Sequence, residues 1–327
     1  MAKEIRLRFT YKQLLLALMS LVYLSSVYGL ENDRPYQQML EEVLRSDVVY
    51  PQDKGEIQLS FLPSYFNNRE GKTTFFPLEI EYGLTDFWQI DALLDLYQIN
   101  RPKEGPRGAG LGDVAFGTKY SFMNIAHTNY HAALIFDVDL PTGNINKGLT
   151  EGFIAYEPSV AFAKDFPSFH NSQFFGQTGF SFLQRIKRLN QAPLPAAQDD
   201  NEDAPAENEA AAPEPVETGS VIFEDIPAAH FFFLNLGYFL PVGNARYVIE
   251  TNWITNTWNH RGDENLLYIT PGIVWELAGG LELAVGSSFG LTRSSDKYDI
   301  LLRATYEFEL FEKTPMRNKP LRFIRHS

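Results

Sequence analysis

The chain has 327 residues, no cysteine, 41 acidic against 28 basic side chains and a formal net charge of −13. The length admits one large domain or two ordinary ones, and the acidic balance has the wrong sign for a nucleic-acid surface. The missing cysteine excludes disulfide staples, a thiol nucleophile and cysteine-bound zinc. Past the N-terminus no apolar run reaches the roughly 18 residues of a spanning helix, which argues against a helical membrane protein.

The first 29 residues carry Lys3, Arg6, Arg8 and Lys12, then the apolar run from Leu14 to Leu24, then small residues up to Val27-Tyr28-Gly29. This order reads as a secretory signal peptide cut near Gly29, with an uncleaved anchor as the alternative. Residues 30–54 are expected to form a short N-terminal periplasmic segment. Met39, Leu40, Val43 and Leu44 have helical spacing, so either a short helix at a barrel mouth or a disordered leader fits.

From residue 55 onward the pattern changes to a period of two, which sends successive side chains to opposite faces of a strand. Twelve strands are predicted, near 55–66, 72–83, 87–99, 111–123, 130–141, 153–164, 172–184, 229–240, 246–256, 265–276, 281–292 and 298–311. Leu78, Ile80 and Tyr82 oppose Glu79 and Glu81; Leu134, Phe136, Val138 and Leu140 oppose Asp137 and Asp139. A sandwich and a barrel share this alternation. The connections separate them: those near 83–86, 124–129, 165–171, 241–245 and 277–280 are short. Those at 100–110, 142–152, 185–228 and 257–264 are longer, and only 67–71 and 293–297 break the order. Short turns at one rim and long loops at the other belong to an up-and-down transmembrane barrel of about twelve strands. The fold class expected is therefore all-β, an antiparallel barrel over residues 55–311. Tyr65, Phe66, Phe87, Trp88, Tyr97, Tyr130, Phe239, Tyr247, Trp253, Trp275 and Phe311 are among its aromatic groups. Apart from Tyr97, these lie toward strand ends, where headgroup-level girdles are expected.

Two segments fall outside the wall. Residues 198–225 hold ten acids and no base, and 190–219 is low-complexity Ala, Pro, Glu and Asp, so the 185–228 connection reads as a disordered extracellular loop. Residues 312–327 form a basic tail with Lys313, Arg317, Lys319, Arg322 and Arg325.

Three pieces carry a family resemblance: Glu81-Tyr82-Gly83-Leu84-Thr85-Asp86-Phe87-Trp88-Gln89-Ile90-Asp91, Gly110-Leu111-Gly112-Asp113 leading to Gly117-Thr118-Lys119-Tyr120, and Leu140-Pro141-Thr142-Gly143. In this order they resemble the MetA-pathway of phenol degradation family of outer-membrane proteins. The resemblance implies a barrel and transport of aromatic compounds. The basic tail departs from the usual outer-membrane pattern of ending on an aromatic residue.

If the apolar face meets lipid, the other face lines a lumen. Asp91, Asp95, Asp113, Asp137, Asp139, Glu157, Glu250, Glu276 and Asp299 then point inward, with Lys119 and Arg303 as the clear inward bases. A low-dielectric wall of one sign concentrates the opposite ion, so an open pore of this kind favours cations. The competing reading is that the acids pair within a closed lumen. Leu93, Tyr97, Ile135, Phe175 and Leu183 are expected inward as well and suit an oily or aromatic solute. A catalytic role is not supported: His260 with Ser287 or Ser288 shows no triad spacing. No cofactor or metal site is expected, and a monomer surrounded by outer-membrane lipid and lipopolysaccharide, passing a small-molecule solute, is the reading taken forward.

Overall fold

The alternating stretches fold as strands in a computed structural model of the chain, which describes residues 43–69, 71–188, 221–225, 230–257, 264–277 and 281–309. We number the barrel strands in chain order. β1 is Glu56–Phe61 continued by Ser64–Asn67, β2 Gly71–Thr85, β3 Trp88–Pro102, and β4 Gly108–Gly110 continued by Val114–Phe122. β5 is Tyr130–Leu140, β6 Phe153–Phe166, β7 Ser172–Arg188, and β8 Val221–Asp225 continued by Phe231–Val242. β9 is Ala245–Thr255, β10 Asn265–Glu276, β11 Leu281–Gly290 and β12 Tyr298–Glu309.

Each strand pairs antiparallel with its sequence neighbours, and β1 closes on β12 with Glu56 opposite Glu309 and Phe61 opposite Ala304. Closure removes the two edges that an open sheet would leave, so every strand has a neighbour on both sides. Both β1 and β12 meet at the rim that carries the short turns. The long-loop rim is the other end.

Burial separates the faces. Gln58, Gln89, Glu250, Thr270, Ser288 and Asp299 are fully buried, whereas Trp88, Ile90, Phe116, Phe136, Ile249, Leu302 and Tyr306 are exposed. Polar groups inside and large apolar groups outside invert a soluble protein and define a membrane barrel. Trp88, Tyr130, Tyr247 and Trp275 form an outward aromatic belt near the short-turn rim; Phe182, Trp253, Phe289 and Tyr298 form another toward the loops. An even-stranded antiparallel barrel with such belts is an outer-membrane architecture.

Several expectations are corrected. Tyr97 is outside, half exposed, because β3 carries an extra residue against β2 between the Phe75–Gln98 and Pro77–Asp95 pairs. A bulge of this kind turns both Leu96 and Tyr97 outward. Phe66 and Phe239 do not belong to the outer belts: Phe66 lines an internal cavity and Phe239 is fully buried. The 185–228 connection is narrower than expected, since residues 184–188 of β7 pair with Val221–Asp225 of β8. Gly108–Gly110 likewise pairs with β3 and shortens the 100–110 loop.

The largest feature without a counterpart in the sequence reading lies ahead of β1. The helical spacing of Met39, Leu40, Val43 and Leu44 falls mainly outside the described residues, which begin at residue 43. Residues 43–54 lie within the barrel. They run as an aperiodic strap inside the lumen, with Val43, Val48, Val49 and Tyr50 fully buried. The signal segment 1–29, residues 30–42, the 190–219 stretch, His260, Phe311 and the 312–327 tail lie outside the described residues.

Candidate functional site: the lumen and its strap

The strap rises from the short-turn rim. Gly55 N–H bonds the carbonyl of Gly83 at 2.8 Å, and Gln52 N–H bonds Gln89 Oε1 at 3.0 Å. Gly83 has to be glycine here, because a Cβ would fall on the backbone of Asp53. Above it Ser121 donates to the carbonyl of Val49 at 2.6 Å. The Tyr50 hydroxyl donates to Asp165 Oδ1 at 3.2 Å and accepts from Gln173 Nε2 at 2.7 Å. His131 completes this knot: its Nδ1 accepts from Asn124 N–H at 2.9 Å, so Nε2 carries the proton and donates to Asp165 at 2.8 Å. The strap then crosses the lumen. Gln177 accepts from Asp47 N–H at 3.1 Å and returns a bond to Asp47 Oδ2 at 2.6 Å.

On the far side Glu250 acts as the anchor. It accepts from Leu44 N–H at 2.8 Å and from the Ser46 hydroxyl at 2.7 Å. Leu44 seats its methyl groups over Gly272 and Gly286, where any Cβ would collide with them. Arg45 pairs with Asp299 and donates from Nε to Ser288 Oγ at 2.7 Å. Its guanidinium lies 4.7 Å from the Tyr268 ring centre and 5.8 Å from that of Phe66.

The remaining lumen is divided into cavities. A chamber of about 180 Å³ is lined by Asp47, Glu79, Glu81, Asp91, Asp137, Asp139 and Glu157, with Lys119 as its one base. Four of these carboxylates share one row around the wall. Glu81 is opposite Asp91, Asp91 opposite Gly117, Gly117 opposite Asp137, and Asp137 opposite Glu157. Gly117 leaves the gap through which Asp91 and Asp137 approach each other. Like charges placed directly across neighbouring strands repel, so this row costs stability. Asp137, Asp139 and Glu157 also border a second cavity of about 460 Å³, shared with Arg45, Asp47, Phe231 and Phe233. Asp95, Asp113 and Asp139 border a third, of about 780 Å³, on the long-loop side with Phe66, Phe75 and Leu149. There the loop between β5 and β6 folds inward: Gly143 N–H bonds Asp113 Oδ1 at 2.9 Å, and Leu149 is buried.

Of the residues read from the sequence as lumen-lining, Asp91, Lys119, Asp137, Asp139 and Glu157 thus gather around one chamber. Asp95 and Asp113 sit nearer the loops. Glu250 lies apart, under the strap, and Arg303 is on the inward row of β12 between the buried Leu301 and Thr305. Glu276 is at the rim, bonded by Arg246 at 2.8 Å, and Arg246 also bonds Glu282 at 2.9 Å. Among the inward apolar residues, Leu93, Ile135 and Leu183 line cavities and Phe175 is buried. Sequence reasoning missed Arg45, Asp47 and Arg246. The Val48-Val49-Tyr50 run was the available signal, three consecutive apolar residues just ahead of the first strand. Ser288 bonds Arg45 and Thr270. Among the described residues no cluster of His, Asp and Glu is placed to hold a metal ion.

No protein-family model matches the chain and no curated relative does, so the phenol-degradation resemblance stays a resemblance. Solved structures with the same architecture include the KdgM porin, at TM-score 0.44 and 6% identity over 77% of this chain and 99% of that one. The NanC porin has TM-score 0.44 and 8% identity over 77% of this chain and 100% of that one. The CymD monoaromatic hydrocarbon channel has TM-score 0.38 and 8% identity over 79% of this chain and 89% of that one. These are barrels of porins and channels. Their likeness at this level carries no argument about solute or mechanism, which rest on the residues of this chain.

Proposed function

We propose that the chain is a monomeric outer-membrane channel for small solutes whose lumen favours cations. The observation that carries this reading is the chamber in which seven carboxylates face one lysine. A channel needs such a field, while a merely structural core gains nothing from a row of adjacent like charges. Phe231 and Phe233 beside these acids suit a cation with an apolar body.

The test is the reversal potential of the purified full chain in a planar bilayer under a salt gradient. Its sign should be that of cation preference. Joint neutralisation of Asp91, Asp95, Asp137 and Asp139 to asparagine should weaken the preference, and so should molar salt, where the screening length falls to about 3 Å. Anion preference would remove the acidic-lumen mechanism. A second reading, a closed barrel with a structural or surface role, is favoured by the strap across the lumen. Absence of conductance both in the parent and after loss of the strap would select it.

A further inference from the structure

Arg45 occupies a seat that is better built than a strap contact requires. The guanidinium lies against Tyr268 and Phe66, which suits a planar delocalised cation and not a compact ammonium. Asp299 and Ser288 supply acceptors on adjacent strands. The pairing is nevertheless incomplete. Asp299 is fully buried, and its Oδ1 has no hydrogen-bond partner among the described residues. Arg45 spends its Nε on Ser288 and meets the carboxylate through Nη2. As docked, the fork meets one oxygen of Asp299 and not both. An untethered guanidinium could present two parallel N–H groups to Asp299, the stronger arrangement. Arg45 itself borders the 460 Å³ cavity while Asp299, Ser288, Tyr268 and Phe66 lie behind it, so a solute reaches the seat as Arg45 leaves it.

We infer that the Asp299–Ser288–Tyr268–Phe66 pocket is a binding site for guanidinium-type organic cations, and that such a solute competes with Arg45 and frees the strap. The inference builds on the channel reading but concerns a different event, the departure of residues 43–50 from the lumen. A tethered group acts at an effective concentration in the millimolar range, so millimolar to tens of millimolar free ligand should compete. This is far below the molar range in which guanidinium unfolds proteins.

The absence of native cysteine makes the test direct. Val48, 4% exposed, is changed to cysteine in the full chain, reconstituted in lipid vesicles, and a water-soluble maleimide is added. Labelling should be slow in sodium chloride and in methylammonium. It should rise about tenfold when methylguanidinium stands tenfold above its dissociation constant for the vacated seat. Adding Arg45→Ala should make labelling fast and indifferent to methylguanidinium. Adding Asp299→Asn should remove the methylguanidinium response. Heat-modifiable gel migration verifies folding of each variant, and Val49→Cys, at a side chain buried like Val48, is the second reporter if Val48→Cys misfolds. Equal labelling with and without methylguanidinium, or slow labelling in Arg45→Ala, overturns the proposal. The two readings fail separately. Conductance without a labelling response sinks the guanidinium site alone; a labelling response without conductance sinks the channel alone.

Discussion

The two sides of the lumen treat their acids differently. On the β9–β12 side four carboxylates are tied to named groups: Glu250 holds the strap backbone and Ser46, Asp299 meets Arg45, and Glu276 and Glu282 share Arg246. On the β2–β6 side Glu81 accepts from Gln58, Gln89 and the strap's Gln52, and beside it Glu79, Asp91, Asp137, Asp139 and Glu157 crowd around Lys119. Net charge therefore says little about a barrel interior. What matters is whether an acid is spent on the protein itself. The first side is a docking wall, and on the second the acids outnumber the bases beside them.

The coarsest way to break this comparison is to show that the acids do not face the lumen. Phe136 and Asp137 are adjacent, one outward and one inward. Phe136→Arg puts a charge in lipid and should destabilise the barrel by about 2–4 kcal/mol, as should Leu94→Arg, read by denaturant unfolding in lipid vesicles. Asp137→Asn and Asp95→Asn should change it far less. Equal costs at both kinds of position would reverse the wall.

A sharper cut separates spent from crowded acids. Glu250→Ala removes the acceptor of Leu44 and Ser46, so strap docking should weaken by about 1.5–3 kcal/mol, the worth of a hydrogen bond to a charged group. Accessibility of a cysteine at position 48 reports it. Gly286→Val leaves the charges alone and fills the seat of Leu44. Loss of that burial should loosen the strap by about 1–2 kcal/mol while the barrel stays closed. At the small end, Asp91→Asn should alter barrel stability by about 0.5 kcal/mol or less, toward stabilisation, because it relieves repulsion from Glu81 and Asp137. A large loss there would mean that Asp91 has a structural partner after all.

The strands were legible because a wall between lipid and water imposes a strict period of two, visible in Leu134–Leu140 and again in Tyr298–Leu310. The inward side of Asp91, Asp137 and Glu157 follows from the same parity. Tyr97 defeated that parity because a single extra residue reverses every face beyond it. Phe66 and Phe239 show that an aromatic ring near a strand end does not declare which face it serves. Arg45 and Asp47 were illegible for another reason. The strap has no period, and its meaning lies in partners such as Gln177, Glu250 and Asp299, between 130 and 254 residues away.

That separation sets an order of events during folding. The strap precedes the first strand, yet the seat for Leu44 and Arg45 is shared among β9, β10, β11 and β12, the last portions of the wall to be synthesised. Contacts of such span form late, because a long loop must close before they return any free energy. The anchor at Glu250 and the pocket at Asp299 come together only when the wall has curled round to them. A docked strap is thus a readout of a finished barrel: the earliest segment of the wall-bearing chain becomes the final one to find its place, and a nascent, half-closed wall offers it nothing to hold.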